Sequence, residues 1–157
     1  MEWPEGVERV ARALREAAVD ARIEELTQPT ATAAEAAVAV GCEQAQVVKS
    51  LLFVCDGTPL LALVPGDRRV DRRKLSRAAG ATGTRMADAA EVVGATGYDP
   101  GAVPPFAHAS PLRVLVDRRL LHREALWVGA GSERHLARLE PVDLVRLARA
   151  EEADLVR

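Results

Sequence analysis

The sequence predicts a single domain of the α+β or mixed α/β class, on three observations. The chain has 157 residues, a length that suits one hydrophobic core. Short helical patterns are interleaved with short β-rich runs, which is the element order of a mixed fold. The sequence shows no internal repeat, low-complexity tract or long linker. Residues 1–157 are therefore expected to form one unit, with an N-terminal helix within residues 1–20.

Five segments carry the spacing or the end signals of α-helices. Thr32 and Glu35, and likewise Asp88 and Glu91, stand three residues apart as in a capping box. Asp71 is a typical N-cap for the third helix, and glycines follow the second and third helices as stop signals. The predicted helices cover residues 5–19, 30–41, 71–80, 88–94 and 141–150.

Runs rich in Val, Leu and Ile predict the strands. The clearest pair flanks Asp56 and Gly57, a dipeptide typical of a two-residue hairpin turn. Residues 97–111 hold too many Gly and Pro residues for regular structure. The predicted strands cover residues 21–26, a hairpin at 46–66, and residues 112–117, 125–131 and 135–140.

Composition excludes several classes of function. The net charge is −2, so the chain is not a general polyanion binder and any nucleic-acid contact must come from a local patch. The two cysteines, Cys42 and Cys55, and the three histidines lack metal-ligand spacing, so we expect no metal and no cofactor. No apolar run reaches about 18 residues. We therefore expect no membrane span. The N-terminus lacks a signal-peptide pattern and the two cysteines form no disulfide framework, so we expect a reducing cytoplasmic location.

A lysine interrupts the apolar run "QVVKSLLF" at residues 46–53. The chain has 19 arginines and two lysines, Lys49 and Lys74, so a lysine here is unusual. Both faces of this strand are mostly apolar, which predicts a central strand. Lys49 then points among apolar neighbours or into a cavity that they line, and it needs a partner or a ligand, such as a phosphate, carboxylate or carbonyl oxygen. The alternative is that Lys49 snorkels from an edge strand to solvent.

The segment "GYDPGAVPPFAHASP", residues 97–111, combines stiffening prolines with glycines. Gly97 and Gly101 let the backbone turn or come close to another group. A rigid loop with a glycine at its tip can offer backbone N–H groups to an oxyanion, or hold a ligand by main-chain contacts. Tyr98 could stack on a base or pack under the loop. The alternative for the whole segment is an ordinary rigid crossover between a helix and a strand.

Basic residues cluster in the segment "GDRRVDRRKLSR", residues 66–77. On a short helix they would form a local positive face suited to phosphates. The alternative is a solvated surface with charge pairs, since arginine is common throughout the chain. The candidate phosphate contacts are Arg69, Arg72, Arg73 and Lys74, and a second basic run adds Arg118, Arg119 and Arg123.

Four motifs occur in a characteristic order. They are "TATAAEAAVAVGCEQAQVVKSLLF", "VPGDRRVDRRKLSRAAG", "TGYDPGAVPPFAH" and "WVGAGSERHLARLEPVDLVRL". Together they resemble the YbaK/ProX family of aminoacyl-tRNA editing domains, which are related to the insertion domain of bacterial prolyl-tRNA synthetases. The similarity runs from about Thr27 to Leu147, and a family core is expected at residues 27–150.

The resemblance implies a curved, barrel-like mixed sheet surrounded by short helices. It also implies metal-independent hydrolysis, in trans, of the ester between a wrongly attached amino acid and the 3′ end of a tRNA, with tRNA(Pro) as the first candidate. The expected partners are the mischarged tRNA and an aminoacyl-tRNA synthetase, with no DNA and no membrane. Arg69, Arg72, Arg73 and Lys74 would then contact the tRNA.

The family's site residues can be placed on this sequence position by position. The central strand lysine matches Lys49, the residue after it matches Ser50, and the loop glycine that faces the substrate matches Gly101. Further expected substrate contacts are Thr30, Ala102, Val103, Pro104 and His135. Three loop residues depart from the family pattern, which keeps open a non-catalytic module that binds tRNA or a small ligand. The departures are Ala102, Pro104 and Ala107, where the family has Gly, Ser and Gly.

Overall fold

The computed structural model describes residues 3–157, which form a mixed α/β domain. Its α-helices are α1 (Glu5–Glu16), α2 (Ala33–Val40), α3 (Arg72–Ala79), α4 (Ala89–Thr96) and α5 (Pro141–Ala148). Its strands are β1 (Ile23–Glu25), β2 (Val48–Cys55), β3 (Thr58–Pro65), β4 (Thr84–Met86), β5 (Arg113–Asp117), β6 (Leu126–Ser132), β7 (His135–Leu139) and β8 (Glu151–Ala153). Two short 3-10 helices lie at Gln44–Gln46 and Arg118–His122.

The strands form two sheets. Five strands lie in the order β4-β2-β3-β5-β8, and three lie in the order β1-β7-β6. The pairs β3–β5 and β5–β8 are parallel, whereas β2–β3 and β2–β4 are antiparallel. No helix within residues 3–157 is long and apolar enough to cross a membrane.

The predicted hairpin is confirmed. β2 and β3 pair from Val48 opposite Pro65 to Cys55 opposite Thr58, which leaves a two-residue turn. Asp56 and Gly57 adopt φ values of 48° and 82°. Two consecutive positive φ values match the twist of the flanking strands, and Asp-Gly adopts them more easily than most dipeptides.

The first half of β2 has only one regular neighbour within residues 3–157. β2 pairs with β3 along its whole length, but with β4 only over Phe53–Cys55. Ahead of β2, Val47 forms an isolated parallel bridge with Trp127 of β6, which links the two sheets. The prediction of a central strand therefore holds only for the second half of β2, because β4 is three residues long.

Both faces of β3 are buried, which explains the unbroken apolar run in its sequence. Leu61 and Leu63 face a core that includes residues of α1, β6 and α5. Ala62 and Val64 face the opposite side, where they cluster with Leu75 of α3 and with the C-terminal segment. The five-stranded sheet is thus covered on both sides, and the hairpin is held rigidly in the middle.

The predicted helix caps are present, with one difference. Thr32 accepts a hydrogen bond from the Glu35 N–H at 3.1 Å, but the Glu35 carboxylate accepts from the Ala31 N–H instead of that of Thr32. Asp88 and Glu91 form the complete reciprocal capping box, at 2.8 and 3.0 Å. The helix starts were thus readable from local sequence.

Several element ends differ from the prediction. α1 stops at Glu16 instead of residue 19, and α4 continues through Gly94 to Thr96. β4 and β8 were not predicted, since "TRM" and "EEA" carry weak β signals. Both are three-residue strands whose backbone groups are paired by β2 and β5, so tertiary contacts decided their conformation.

Candidate active site

A cavity of about 480 Å³ opens where the first half of β2 lacks a second neighbour. It lies between β2, the segment before α2, α2 itself, the 97–111 loop and β6. Five of the predicted site residues line it: Thr30, Lys49, Ser50, Gly101 and Val103. Small residues form much of the remaining wall, namely Ala31, Ala33, Ala34, Ala36, Gly66 and Gly129.

Lys49 lies half-buried in the wall of this cavity. Its Nζ donates a hydrogen bond to the backbone carbonyl of Arg68 at 2.6 Å. Burial lowers the pKa of Lys49 from its usual value, the nearby Arg69 lowers it further, and Asp67 opposes this shift. An ammonium has three N–H donors. Within residues 3–157 Arg68 is its one hydrogen-bond partner, so two donors remain for a ligand.

Ser50 follows Lys49 in β2 and also lies in the cavity wall. Its Oγ is buried and makes no hydrogen bond to any residue in the range 3–157. Adjacent strand residues point to opposite faces, yet Lys49 and Ser50 both line the cavity. They do so because the cavity wraps around the unpaired edge of β2.

Gly101 lies at the corner of a tight turn. Its φ is 87°, and the Ala102 N–H donates to the Asp99 carbonyl at 3.0 Å across Pro100 and Gly101. Proline followed by a residue of positive φ is the pattern of a type II turn. The Ala102 amide is therefore used inside the turn, whereas the Gly101 amide has no acceptor within residues 3–157.

The 97–111 loop is braced from below. Tyr98 is buried, and its hydroxyl donates to the Ala107 carbonyl at 2.7 Å. The guanidinium of Arg9 lies 4.3 Å from the centre of the Tyr98 ring and also donates to the Gly97 carbonyl. Tyr98 therefore packs under the loop instead of presenting a stacking surface.

His108 braces the far end of the same loop. Its Nε2 lies 2.7 Å from the Pro104 carbonyl, and burial lowers the pKa of the imidazole. Pro104 is buried and does not line the cavity. Of the loop residues expected to contact the substrate, Gly101 and Val103 reach the cavity, and Ala102 and Pro104 support the turn behind them.

His135 lies away from the cavity that holds Lys49. It lines a second cavity of about 580 Å³ together with Ala102, on the other side of the loop. Its Nδ1 bonds to the Ser132 hydroxyl, and its Nε2 is buried without a partner in the range 3–157. Burial lowers its pKa. The next residue of β7, Leu136, reaches the first cavity instead.

The predicted basic face lies outside both cavities. Arg69, Arg72 and Arg73 are exposed, and none forms an ion pair with another residue in the described range. Lys74 differs from them, since its Nζ lies 3.1 Å from the Asp154 carboxylate and donates to the Val156 carbonyl. The ammonium of Lys74 thus mainly anchors the C-terminal segment.

The sequence analysis did not identify two glycines that shape the cavity. A Cβ on Gly66 would lie 2.7 Å from both the Ala33 Cβ and the Gln44 carbonyl oxygen. A Cβ on Gly129 would lie 3.1 Å from the Val103 carbonyl oxygen. The available signal for Gly66 was its position directly after an apolar strand, where close backbone approach is common.

Within residues 3–157, no group of three His, Cys, Asp or Glu side chains is arranged to hold a metal ion. The cavity wall includes Lys49, whose ammonium keeps two donors, and Gly101, whose backbone N–H has no acceptor within residues 3–157. Its polar side chains also include those of Thr30, Thr32, Gln44 and Ser50. Hydrogen-bond donors beside small apolar walls form a class of site whose chemistry suits a carbonyl or phosphate oxygen next to a small apolar group.

Residues 27–147 match the family described as "Aminoacyl-tRNA editing domain", and the chain belongs to this family. The resemblance found in the four sequence motifs is therefore confirmed. So is the mixed α/β fold of a single domain that the resemblance implied.

Two curated relatives are proline–tRNA ligases. The one from Xanthomonas oryzae pv. oryzae (strain MAFF 311018) is 32% identical over 139 residues, which cover 86% of this chain and 25% of that protein. The one from Nitratidesulfovibrio vulgaris (strain DP4) is 35% identical over 132 residues, which cover 83% of this chain and 23% of that protein. The chain thus spans about a quarter of the length of these relatives.

A solved structure covers the whole domain. It is described as that of a candidate trans-editing enzyme for prolyl-tRNA synthetase, and it is 38% identical with a TM-score of 0.92. The match covers 99% of each chain. This protein therefore shares its complete fold with a chain of nearly equal extent, and not only with one part of a synthetase.

Proposed function

We propose that this protein is a trans-editing hydrolase that cleaves the ester of a mischarged aminoacyl-tRNA, with tRNA(Pro) as the first substrate to test. The observation that carries the proposal is the half-buried Lys49 ammonium, which has two unused donors in the wall of a small cavity. The relation to proline–tRNA ligases supports the choice of tRNA. The cavity volume of about 480 Å³ is in the usual range for small-molecule sites.

The cavity groups suit ester hydrolysis by water. The water oxygen forms a bond to the ester carbonyl carbon, and negative charge develops on the carbonyl oxygen. Lys49 and the Gly101 amide donate hydrogen bonds to that oxygen. The ribose oxygen then leaves and takes up a proton that derives from the water, so the products are a free amino acid and a tRNA with an intact 3′ end. Loss of one such donor typically lowers the rate by roughly 10²–10³.

Backbone groups and the neighbouring ribose hydroxyl position the attacking water in this scheme, which requires no metal ion. Ser50 holds a polar group of the aminoacyl moiety, and Thr30 and Val103 contact it at the cavity rim. The small walls formed by alanines and glycines favour a small amino acid side chain.

The tRNA body contacts the exposed Arg69, Arg72 and Arg73 in this proposal, with Lys74 at the edge of that face. The 3% aromatic content favours phosphate contacts over base stacking. An aminoacyl-tRNA synthetase is a further proposed partner that would supply tRNA affinity. The reaction would take place in the cytoplasm, where tRNA is charged.

The alternative is a non-catalytic module that binds tRNA or a small ligand in the same cavity. Ala102, Pro104 and Ala107 favour it, because each departs from the family pattern. Ala107 adopts a φ of 63°, which is costly for an alanine, and yet the loop closes through the Tyr98 hydrogen bond. The loop is thus closed, and the retained Lys49 favours catalysis over simple binding.

The deciding experiment is hydrolysis of tRNA(Pro) charged with Ala, Cys, Ser or Pro. It compares wild type, Lys49→Met, Lys49→Arg and the control Arg12→Ala, which removes an exposed charge from α1. We expect rapid loss of one non-cognate amino acid, a fall of about 10²-fold or more in Lys49→Met, and no change in the control. Tight tRNA binding without turnover would favour the binding module, and turnover that survives Lys49→Met would refute the role of Lys49.

A further inference from the structure

We propose that a second, basic cleft beside the candidate active site binds backbone phosphates of the RNA strand that leads to the aminoacylated 3′ end. This inference rests on the proposed function and extends it to the path of the substrate. The cleft, called here the arginine cleft, has a volume of about 240 Å³. It is lined by Ala45, Pro65, Asp67, Arg68, Arg119 and Arg123.

The arginine cleft is a concave surface lined by three arginines. Arg68 follows β3, and Arg119 and Arg123 come from the 3-10 helix after β5 and its C-cap. Asp67 is the one carboxylate among the six residues that line it. Three arginines from two separate chain segments therefore line one small space, and guanidinium groups suit a phosphate better than a neutral ligand.

The arginine cleft shares a wall with the candidate active site. Gln44 and Gly66 line the site, and their chain neighbours Ala45 and Pro65 line the cleft. Lys49 joins the two directly, because its Nζ bonds to the backbone carbonyl of Arg68 at 2.6 Å. An RNA strand whose terminal nucleotide occupies the site can therefore place a preceding phosphate in the cleft.

Existing contacts hold the three arginines in place and leave donors unused. Arg123 lies 2.6 Å from the Glu43 carboxylate, and Arg119 lies 3.2 Å from that of Asp154. The Arg68 guanidinium donates one hydrogen bond, at 3.1 Å, to a main-chain oxygen of Arg157, the last residue of the sequence, and its other donors have no partner within residues 3–157. A guanidinium has five N–H donors, and a pre-positioned one loses less entropy when it binds a phosphate.

The arginines of the cleft are held in a concave surface, whereas those of the basic face on α3 are not. Arg72 and Arg73 are exposed on a helix surface and line neither cavity. They can contribute a general attraction to RNA, which is screened by salt. The cleft is instead placed to fix the register of the 3′ strand relative to Lys49.

The test uses the double variant Arg68→Ala/Arg123→Ala. Arg119 is left intact, because it contacts the fully buried Asp117. The matched control is Arg12→Ala/Arg138→Ala, which removes the same charge from exposed positions that line neither cavity. Each protein is assayed on aminoacyl-tRNA and on the 3′-aminoacyl ester of adenosine, which carries no phosphate.

We expect kcat/KM on aminoacyl-tRNA to fall about tenfold in the cleft variant, and to be unchanged on the adenosine ester. The control double variant should retain wild-type kcat/KM on both substrates. An equal fall on both substrates, or no fall on tRNA, would overturn the inference and leave the proposed hydrolysis standing.

Binding of uncharged tRNA gives a readout that does not depend on turnover. The slope of log K against log salt concentration should decrease in magnitude by about 1.4 in the cleft variant, since each of the two lost contacts to single-stranded RNA contributes about 0.7. The control should keep the wild-type slope. Inorganic phosphate is the competing probe: if it binds with the same dependence on Arg68 and Arg123 while the tRNA slope stays unchanged, the cleft is an ion site and the RNA assignment is wrong.

Discussion

Lys49 illustrates how a strand residue becomes available to a ligand. β2 is well covered beyond Leu52, but before that point one of its edges faces open space between the two sheets. The same gap exposes Lys49 on one face of the strand and Ser50 on the other. The Arg68 carbonyl lowers the desolvation free energy of this partly buried ammonium, because it replaces part of the water shell.

Ser50→Ala tests whether the buried hydroxyl serves a ligand. Removal of an unpaired buried hydroxyl should leave the free energy of unfolding unchanged within about 1 kcal/mol, or raise it. The kcat/KM for deacylation should fall about tenfold. Urea unfolding and steady-state deacylation measure the two effects.

Ser76→Ala is the matched control for that experiment. Its hydroxyl is already bonded to Thr84, at 3.2 Å, and it lines neither cavity. This variant should lose about 1 kcal/mol of stability and keep full kcat/KM. The opposite pattern, in which Ser50→Ala destabilises the fold and leaves turnover intact, would make Ser50 a structural residue.

At the scale of elements, α4 is tied to the five-stranded sheet by one ion pair at its start. Arg85 of β4 donates two hydrogen bonds to the Glu91 carboxylate, at 2.7 and 2.8 Å. The same carboxylate accepts the Asp88 N–H within the capping box. These contacts favour the charged form, Arg85 foremost, and lower the pKa of Glu91 to about 2.

Arg85→Gln should raise the pKa of Glu91 toward its usual value near 4.3. In the wild type the folded-state pKa lies below the unfolded value. The contribution of the charged Glu91 to the free energy of unfolding is therefore complete above about pH 4.3, and it is lost as the pH falls toward 2. Carboxyl NMR titration measures the pKa directly, with Arg12→Gln as the control. A Glu91 that titrates normally in the wild type would contradict the ion pair.

For the whole molecule, the C-terminal segment is part of the folded unit. β8 extends the sheet beside β5, and Val156 forms a bridge with Val70. Asp117, which is fully buried, accepts hydrogen bonds from the Leu155 N–H at 2.9 Å and the Arg119 N–H at 3.0 Å. One carboxylate thus joins the sheet, the 3-10 helix with its cleft arginines, and the chain terminus.

Asp117→Ala should therefore destabilise the whole domain by about 3 kcal/mol, because it leaves buried donors and part of the Arg119 charge without a partner. Asp143→Ala is the control, since its ion pair with Arg146 lies on the surface and should contribute less than about 1 kcal/mol. Urea denaturation measures both. A loss below about 1 kcal/mol for Asp117→Ala would show that other contacts hold the C-terminal segment.

Much of the fold was predictable, since local signals determine helix starts and the hairpin turn. Asp88 with Glu91, and Asp56 with Gly57, act through hydrogen bonds and φ preferences within a few residues. The family motifs also single out Lys49 and Gly101, which the fold places in the wall of one cavity. β4 and β8 were missed because their backbone pairing comes from strands far away in the chain.

The sequence by itself determined the mixed class, the capped helices, the hairpin and the membership of the editing-domain family. Only the tertiary structure decided which candidate residues share a cavity. It brought Thr30, Lys49, Ser50, Gly101 and Val103 together and placed His135, Ala102 and Pro104 elsewhere. The physical reason is the short β4, which leaves the first half of β2 without a second neighbouring strand. Such an open sheet edge arises from the packing of distant segments, so no local pattern in the sequence of β2 predicts it.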